Sequence, residues 1–204
     1  MIKVKICGIT NLEDARAALE EGADALGFVF YPKSPRYIDY QKAEEIVQAL
    51  PPFVITVGVF VNESKETIHK GVKVASLSLV QLHGNESPEF CDSLGLRIIK
   101  AIRISVPGDL DQIKNYSVQG ILLDSFHEDL YGGTGRPFKW DILKGLAFKN
   151  PIILSGGLDP ENVRDAVDRF SPYAVDVSSG VETSPGKKNR EKMKRFIQKA
   201  KGIR

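Results

Sequence analysis

Val4-Lys5-Ile6-Cys7-Gly8-Ile9-Thr10 reads as a short apolar strand that stops at a thiol, turns at a glycine and leaves Thr10 or Asn11 to cap a helix. A strand that carries a reactive side chain at its C-terminal end and then passes into a helix is the unit of an α/β protein. Taken alone, Cys7 is a small buried hydrophobe, since free cysteine is among the most buried residue types. Its position gains meaning from what stands at the ends of the strands that follow.

The unit recurs along the chain. Strands are predicted at Val4–Cys7, Ala25–Phe28, Val54–Val59, Ser78–Leu82, Arg97–Ile102, Gly120–Asp124, Ile152–Ser155 and Ala174–Val177. They are short, apolar and mostly not alternating, as strands buried on both faces of a parallel sheet are. Helices are predicted between them at Leu12–Glu21, Tyr40–Ala49, Ser64–Val74, Pro88–Ser93, Leu110–Tyr116, Trp140–Leu146, Pro160–Phe170 and Arg190–Lys201. Asp159-Pro160-Glu161 supplies a cap, a first-turn proline and an acid. Eight strand–helix units point to an α/β fold of the (β/α)8 TIM-barrel type, near the small end of its range. An open doubly wound sheet is the competing reading, but no GxGxxG follows the first strand. No linker or composition shift divides residues 1–204, so one domain is expected. The long loops 30–39 and 125–139 both follow strands.

The bulk properties exclude several classes. The 204 residues suffice for one sizeable core, and 42% hydrophobic with 26% charged residues is ordinary for a soluble domain. A net charge of +2 does not argue for nucleic acid. Cys7 and Cys91 make no disulfide framework, and no CxxC or histidine-rich cluster suggests zinc. The chain opens directly into a strand without a signal-type apolar segment, and no run approaches a membrane span. A cytoplasmic location follows as the expectation.

In such a barrel the catalytic face is the C-terminal end of the strands. The groups there are Cys7, the loop with Arg36, His83, Asp124, Ser155-Gly156-Gly157, and Asp176 followed by Ser179-Gly180 and Glu182. Gly156, Gly157, Ser179 and Gly180 are the candidate phosphate site, because glycines let backbone N–H groups approach an anion and the loops after strands seven and eight are its usual place. Two tight glycine turns are the plain alternative. Arg36 could present its planar fork to a carboxylate or stand in solvent. Asp124 ends an apolar strand, where burial raises a carboxyl pKa and suits it to act as a general acid; its alternative is a cap or ion-pair partner. His83 and Asp176 read either as substrate contacts or as hydrogen-bonded structural groups. Cys91 lies in a helical stretch and reads as packing.

Lys5-Ile6-Cys7-Gly8-Ile9-Thr10, Gly27-Phe28-Val29-Phe30 with Ser34-Pro35-Arg36-Tyr37, Gly58-Val59-Phe60-Val61-Asn62, Val80-Gln81-Leu82-His83-Gly84, Leu122-Leu123-Asp124, Gly132-Gly133-Thr134-Gly135, Leu154-Ser155-Gly156-Gly157-Leu158 and Val175-Asp176-Val177-Ser178-Ser179-Gly180-Val181-Glu182 together resemble phosphoribosylanthranilate isomerase of tryptophan biosynthesis. The resemblance implies an Amadori rearrangement of a phosphorylated aminoaldose to an aminoketose. It implies Cys7 as general base, Asp124 as general acid and Arg36 on the anthranilate carboxylate, with no cofactor, and a homodimer as one possible assembly. The related aminoaldose isomerase of histidine biosynthesis, or a dual-substrate version, is a second enzyme reading; its catalytic pair in the related barrels resembles two carboxylates, whereas this chain offers Cys7, and it would want a second phosphate site. A phosphometabolite-binding barrel without catalysis is the non-enzyme reading. Catalysis near neutrality would require the site to pull the Cys7 thiol below its ordinary value of about 8.5 and push Asp124 above about 3.9.

Overall fold

The computed structural model describes residues 1–125 and 149–203. Eight parallel strands close into a barrel in chain order. They are β1 (Lys3–Cys7), β2 (Ala25–Val29), β3 (Ile55–Phe60), β4 (Leu79–Leu82), β5 (Ile98–Ile104), β6 (Gly120–Ser125), β7 (Ile152–Leu154) and β8 (Ala174–Val177). The ring closes by pairing β1 with β8, with Val4 opposite Val175 and Lys5 opposite Asp176. The open-sheet reading is thereby overturned, and the predicted strands agree with these to within two residues at either end.

Helices α1 (Leu12–Glu20), α2 (Tyr40–Gln48), α3 (Lys65–Val74), α4 (Pro88–Ser93), α5 (Val163–Phe170) and α6 (Arg190–Lys201) wrap the ring. Asn11, Asp39, Ser64, Ser87 and Asn189 cap five of them by accepting a backbone N–H of the first turn. Two predicted helices differ. Pro160–Asn162 form a turn, because Asp159 accepts the N–H groups of Glu161 and Asn162, so α5 starts only at Val163. The stretch predicted at Leu110–Tyr116 is a 3-10 segment over Pro107–Asn115; Asp109 accepts from the N–H groups of Ser105 and Val106 and fixes a tight entry. The predicted helix Trp140–Leu146, the loop 126–139 and the motif Gly132-Gly133-Thr134-Gly135 lie outside the described residues.

Strand alternation sorts the core into two shells. Val4, Ile6, Leu26, Phe28, Val80, Leu82, Ile121, Leu123, Leu154, Val175 and Val177 face the helices in one large cluster. Ile99, Ala101, Leu122, Ile153 and Ala174 form a smaller cluster inside the ring. One step further along the same inward rows, the side chains turn polar: Lys5 and Cys7 on β1, Gln81 then His83 past β4, Asp124 on β6, Ser155 after β7 and Asp176 on β8. All are buried. The barrel is thus filled with apolar side chains towards its N-terminal end and polar ones towards its C-terminal mouth.

One element stands outside the eight-unit pattern. After β8, a 3-10 turn at Ser179–Val181 leads into an antiparallel ribbon of β9 (Glu182–Ser184) and β10 (Lys187–Lys188). Gly186 turns it in the left-handed region, at φ 80°. The ribbon is tied to the start of α1, where Asp14 accepts the Lys188 N–H and Thr10 donates to the Gly186 carbonyl.

Candidate active site

Cys7 ends β1 directly opposite Gly27 of β2. A Cβ on Gly27 would lie 2.8 Å from the Cys7 Sγ, so the missing side chain makes room for the thiol. Cys7 is 7% exposed. Burial pushes its thiol above the ordinary range; Lys5 and Lys188 pull it back and Asp176 raises it again. Desolvation thus outweighs the two cations at Cys7.

A single hydrogen-bonded chain crosses the barrel mouth. Lys5 Nζ donates to Asp176 Oδ1 at 2.8 Å and to Gln81 Oε1 at 2.9 Å. Burial alone would lower the Lys5 ammonium, but Asp176 and Cys7 outweigh it and hold the group above its ordinary range. Ser155 Oγ donates to the second Asp176 oxygen at 3.1 Å. Because Gln81 Oε1 accepts from Lys5, its Nε2 is the donor towards His83 Nδ1, 2.8 Å away. That puts the ring hydrogen of His83 on Nε2, which donates to Asp124 Oδ2 at 3.1 Å. Asp176 and His83 are thus joined to the two groups the sequence singled out, Cys7 and Asp124, and both are internal links of the network. Asp124, 2% exposed, stands on β6, with β7 and β8 between it and β1 on one side.

The turns after β7 and β8 meet. Gly156 and Gly157 are both left-handed, at φ 80° and 69°, and among the described residues their N–H groups donate to no backbone acceptor. Gly180 sits so close to the β7 turn that a Cβ there would be 2.1 Å from the Leu158 carbonyl oxygen. The first N–H groups of the turn Ser179–Val181 have no acceptor within it. The two turns that carry the four residues of the candidate phosphate site are therefore in contact.

Arg36 is not a solvated side chain. Its Nε and Nη2 donate to Glu182 Oε1 and Oε2 at 2.9 and 2.8 Å, and its stem crosses the turn at Gly8, where a Cβ would meet Arg36 Cδ at 2.7 Å. Burial would raise the Glu182 carboxyl, but Arg36 and Lys188 more than offset this and hold it below its ordinary range. Lys5, Gln81 and Lys188 are the site residues that the sequence reading did not single out. For Lys5 and Gln81 the signal is present: each shares the inward row of a candidate residue, Cys7 or His83, in an otherwise apolar strand. Lys188 had no such signal, because its place depends on a hairpin closing beyond the last barrel strand. Among the described residues no group of three His, Cys, Asp or Glu side chains could hold a metal ion.

Known proteins share this fold. The family profile of N-(5'phosphoribosyl)anthranilate (PRA) isomerase matches residues 4–199. The N-(5'-phosphoribosyl)anthranilate isomerase of Geobacter sulfurreducens is 51% identical over 202 residues, covering 99% of this chain and 100% of the relative. The crystal structure of the Thermotoga maritima enzyme superposes with a TM-score of 0.93 at 48% identity, covering 99% and 100% of the two chains. Monomers of that dimeric enzyme superpose at 0.88 and 44%, with the same coverage. A phosphoribosyl anthranilate isomerase in complex with reduced 1-(o-carboxyphenylamino)-1-deoxyribulose 5-phosphate superposes at 0.88 and 46% identity, again covering 99% and 100%.

Proposed function

The chain belongs to the N-(5'-phosphoribosyl)anthranilate isomerase family of tryptophan biosynthesis, and we propose that the mouth of its barrel carries out the Amadori rearrangement with Cys7 as base and Asp124 as acid. The observation that carries this reading is their placement: a thiol and a carboxyl, both on inward rows, facing one mouth from β1 and β6.

Asp124 gives its proton to the furanose ring oxygen, the C1–O bond breaks, and the nitrogen lone pair forms an iminium at C1. Cys7, as thiolate, removes the proton from C2, and the C–H electrons make a C1=C2 enolamine as the iminium is neutralised. The enolamine then takes a proton at C1 and loses its C2 hydroxyl proton to give the ketone. The oxidation at C2 is balanced by reduction at C1, so the rearrangement requires no external oxidant. Hydrogen bonding from His83 orients Asp124, and Lys5 and Lys188 favour the thiolate against the cost of burial. Arg36 meets the anthranilate carboxylate, and Gly156, Gly157, Ser179 and Gly180 hold the phosphate at the far end. In this reading Asp176 acts by anchoring Lys5 beside Cys7, and the whole chain, 1–204, works as one cytoplasmic barrel domain.

The reading also takes in a homodimer. At the N-terminal end of the barrel, Phe53 is 98% and Tyr173 58% exposed, around a cavity of about 440 Å³ lined by Val57, Leu79, Ile99 and Ile153. A second copy would cover this apolar face. No helix among the described residues is long and apolar enough to cross a membrane.

The test of the activity is direct. Phosphoribosylanthranilate generated in situ should be consumed, with a change in anthranilate-type fluorescence, when the protein is added. No consumption by folded protein would remove this reading and leave a phosphometabolite-binding barrel.

A further inference from the structure

Lys188 and Glu182 are direct cross-strand partners in the ribbon that follows β8. The Lys188 side chain is fully buried, and its ammonium has three directions of contact. It donates to Glu182 Oε1 at 2.8 Å, to the Cys7 carbonyl at 2.5 Å and, more weakly, to the Ser178 carbonyl at 3.4 Å. Glu182, its side chain 4% exposed, turns both oxygens to the Nε–Nη2 edge of Arg36. Among the described residues, nothing accepts from Arg36 Nη1. Glu182 thus stands between Lys188 and Arg36; burial pulls the Lys188 ammonium below its ordinary range, and Glu182 pulls it part of the way back.

From this arrangement we infer that Glu182 and Lys188 are positioning residues: a strut that aims the free Nη1 edge of Arg36 at the substrate carboxylate and ties that clamp to the β1 end that carries Cys7. The inference rests on the reading of Arg36 as the carboxylate clamp. An arginine stem has several rotatable bonds, and holding it costs side-chain entropy. A bidentate carboxylate that is itself fixed by a buried ammonium removes that cost before substrate arrives. Without Glu182, the Nε–Nη2 edge of Arg36 would lose both of its acceptors and the fork would leave its place over Gly8.

The test compares two ligands, reduced 1-(o-carboxyphenylamino)-1-deoxyribulose 5-phosphate and the same compound without the ring carboxylate. In the unaltered protein the carboxylate should strengthen binding by about 10- to 150-fold, the worth of a charged hydrogen bond. Arg36→Ala should collapse that ratio towards one. Glu182→Gln should collapse most of it with Arg36 still present, while binding of the carboxylate-free ligand stays near its original strength. Lys188→Met should act like Glu182→Gln, and Lys188→Arg should restore part of the ratio. Circular dichroism confirms that each variant is folded; should Lys188→Met fail to fold, the isosteric Glu182→Gln decides alone. Equal weakening of both ligands in Glu182→Gln, with the ratio unchanged, would overturn the strut and leave the pair a general support of the rim. An unchanged ratio in Arg36→Ala would show instead that the clamp reading has failed, and the strut would fall with it.

Discussion

Gly180→Ala offers a test of the candidate phosphate site that depends on space alone, since an added Cβ would stand 2.1 Å from the Leu158 carbonyl oxygen and 3.1 Å from Asp159 Cα. The first distance is more than an ångström inside the about 3.3–3.6 Å of an attractive C···O contact. Both neighbours are backbone, so no side chain can swing aside; the turns after β7 and β8 must move apart. Overpacking of this kind costs about 1–3 kcal/mol, which for a chain of this size lowers the melting point by about 2–12 °C. The same movement separates the N–H groups of Gly156 and Gly157 from those of Ser179 and Gly180. Loss of one charged hydrogen bond to phosphate corresponds to about 10- to 150-fold weaker binding. Calorimetric titration with reduced 1-(o-carboxyphenylamino)-1-deoxyribulose 5-phosphate, paired with thermal melts, reads both effects. Gly108→Ala is the control, because nothing lies within 4 Å of its Cβ position; its stability should stay within about 0.5 kcal/mol. A Gly180→Ala protein that melts and binds like the original would refute the reasoning, since the two turns would then not be in contact as described.

Two further expectations concern other parts of the molecule. In the ligand-free protein, alkylation of Cys7 by iodoacetamide should rise with a midpoint above the ordinary thiol value of about 8.5, because burial outweighs Lys5 and Lys188. Lys5→Met should move it higher, and a midpoint at or below the ordinary value would contradict the electrostatics. Cys91, whose thiol burial pushes up to about 11, should contribute little over the same range. At the other end of the barrel, Phe53→Glu should convert the proposed dimer to monomers in sedimentation equilibrium while leaving turnover intact; an unaltered protein that already sediments as a monomer removes the dimer.

The barrel was legible because its signal is repeated: apolar runs at regular spacing, each ended by a turn or cap, leave few other folds for the chain. Alternation was harder to see. Lys5 and Gln81 interrupt strands that otherwise look buried on both faces, and only the closed ring reveals that their rows point at one another. Cys7, Asp124, His83 and Asp176 could be named from their place at strand ends, but their partners could not. Lys5 opposite Asp176 is set by the β1–β8 closure, which joins residues far apart in sequence. Glu182 was visible at the end of its motif, yet its tie to Arg36 needs the ribbon β9–β10, and the short run Ser184-Pro185-Gly186-Lys187 gives a turn signal without showing what the turn packs against. The shift of the Cys7 thiol was not legible at all, because a sequence shows nearby lysines but not the depth of burial that opposes them.

Proton removal from C2 of the sugar by Cys7 is the step on which the proposed chemistry turns. Phosphoribosylanthranilate carrying deuterium at ribose C2, mixed with excess protein in a single turnover, reports that step through release of the label to solvent. The unaltered protein should release the deuterium as product forms. Folded Cys7→Ser that still binds the reduced product analogue should release it about 10²- to 10⁴-fold more slowly, the usual worth of a general base. Release by Cys7→Ser at a rate close to that of the unaltered protein would contradict the account and move the base to Asp176 or His83.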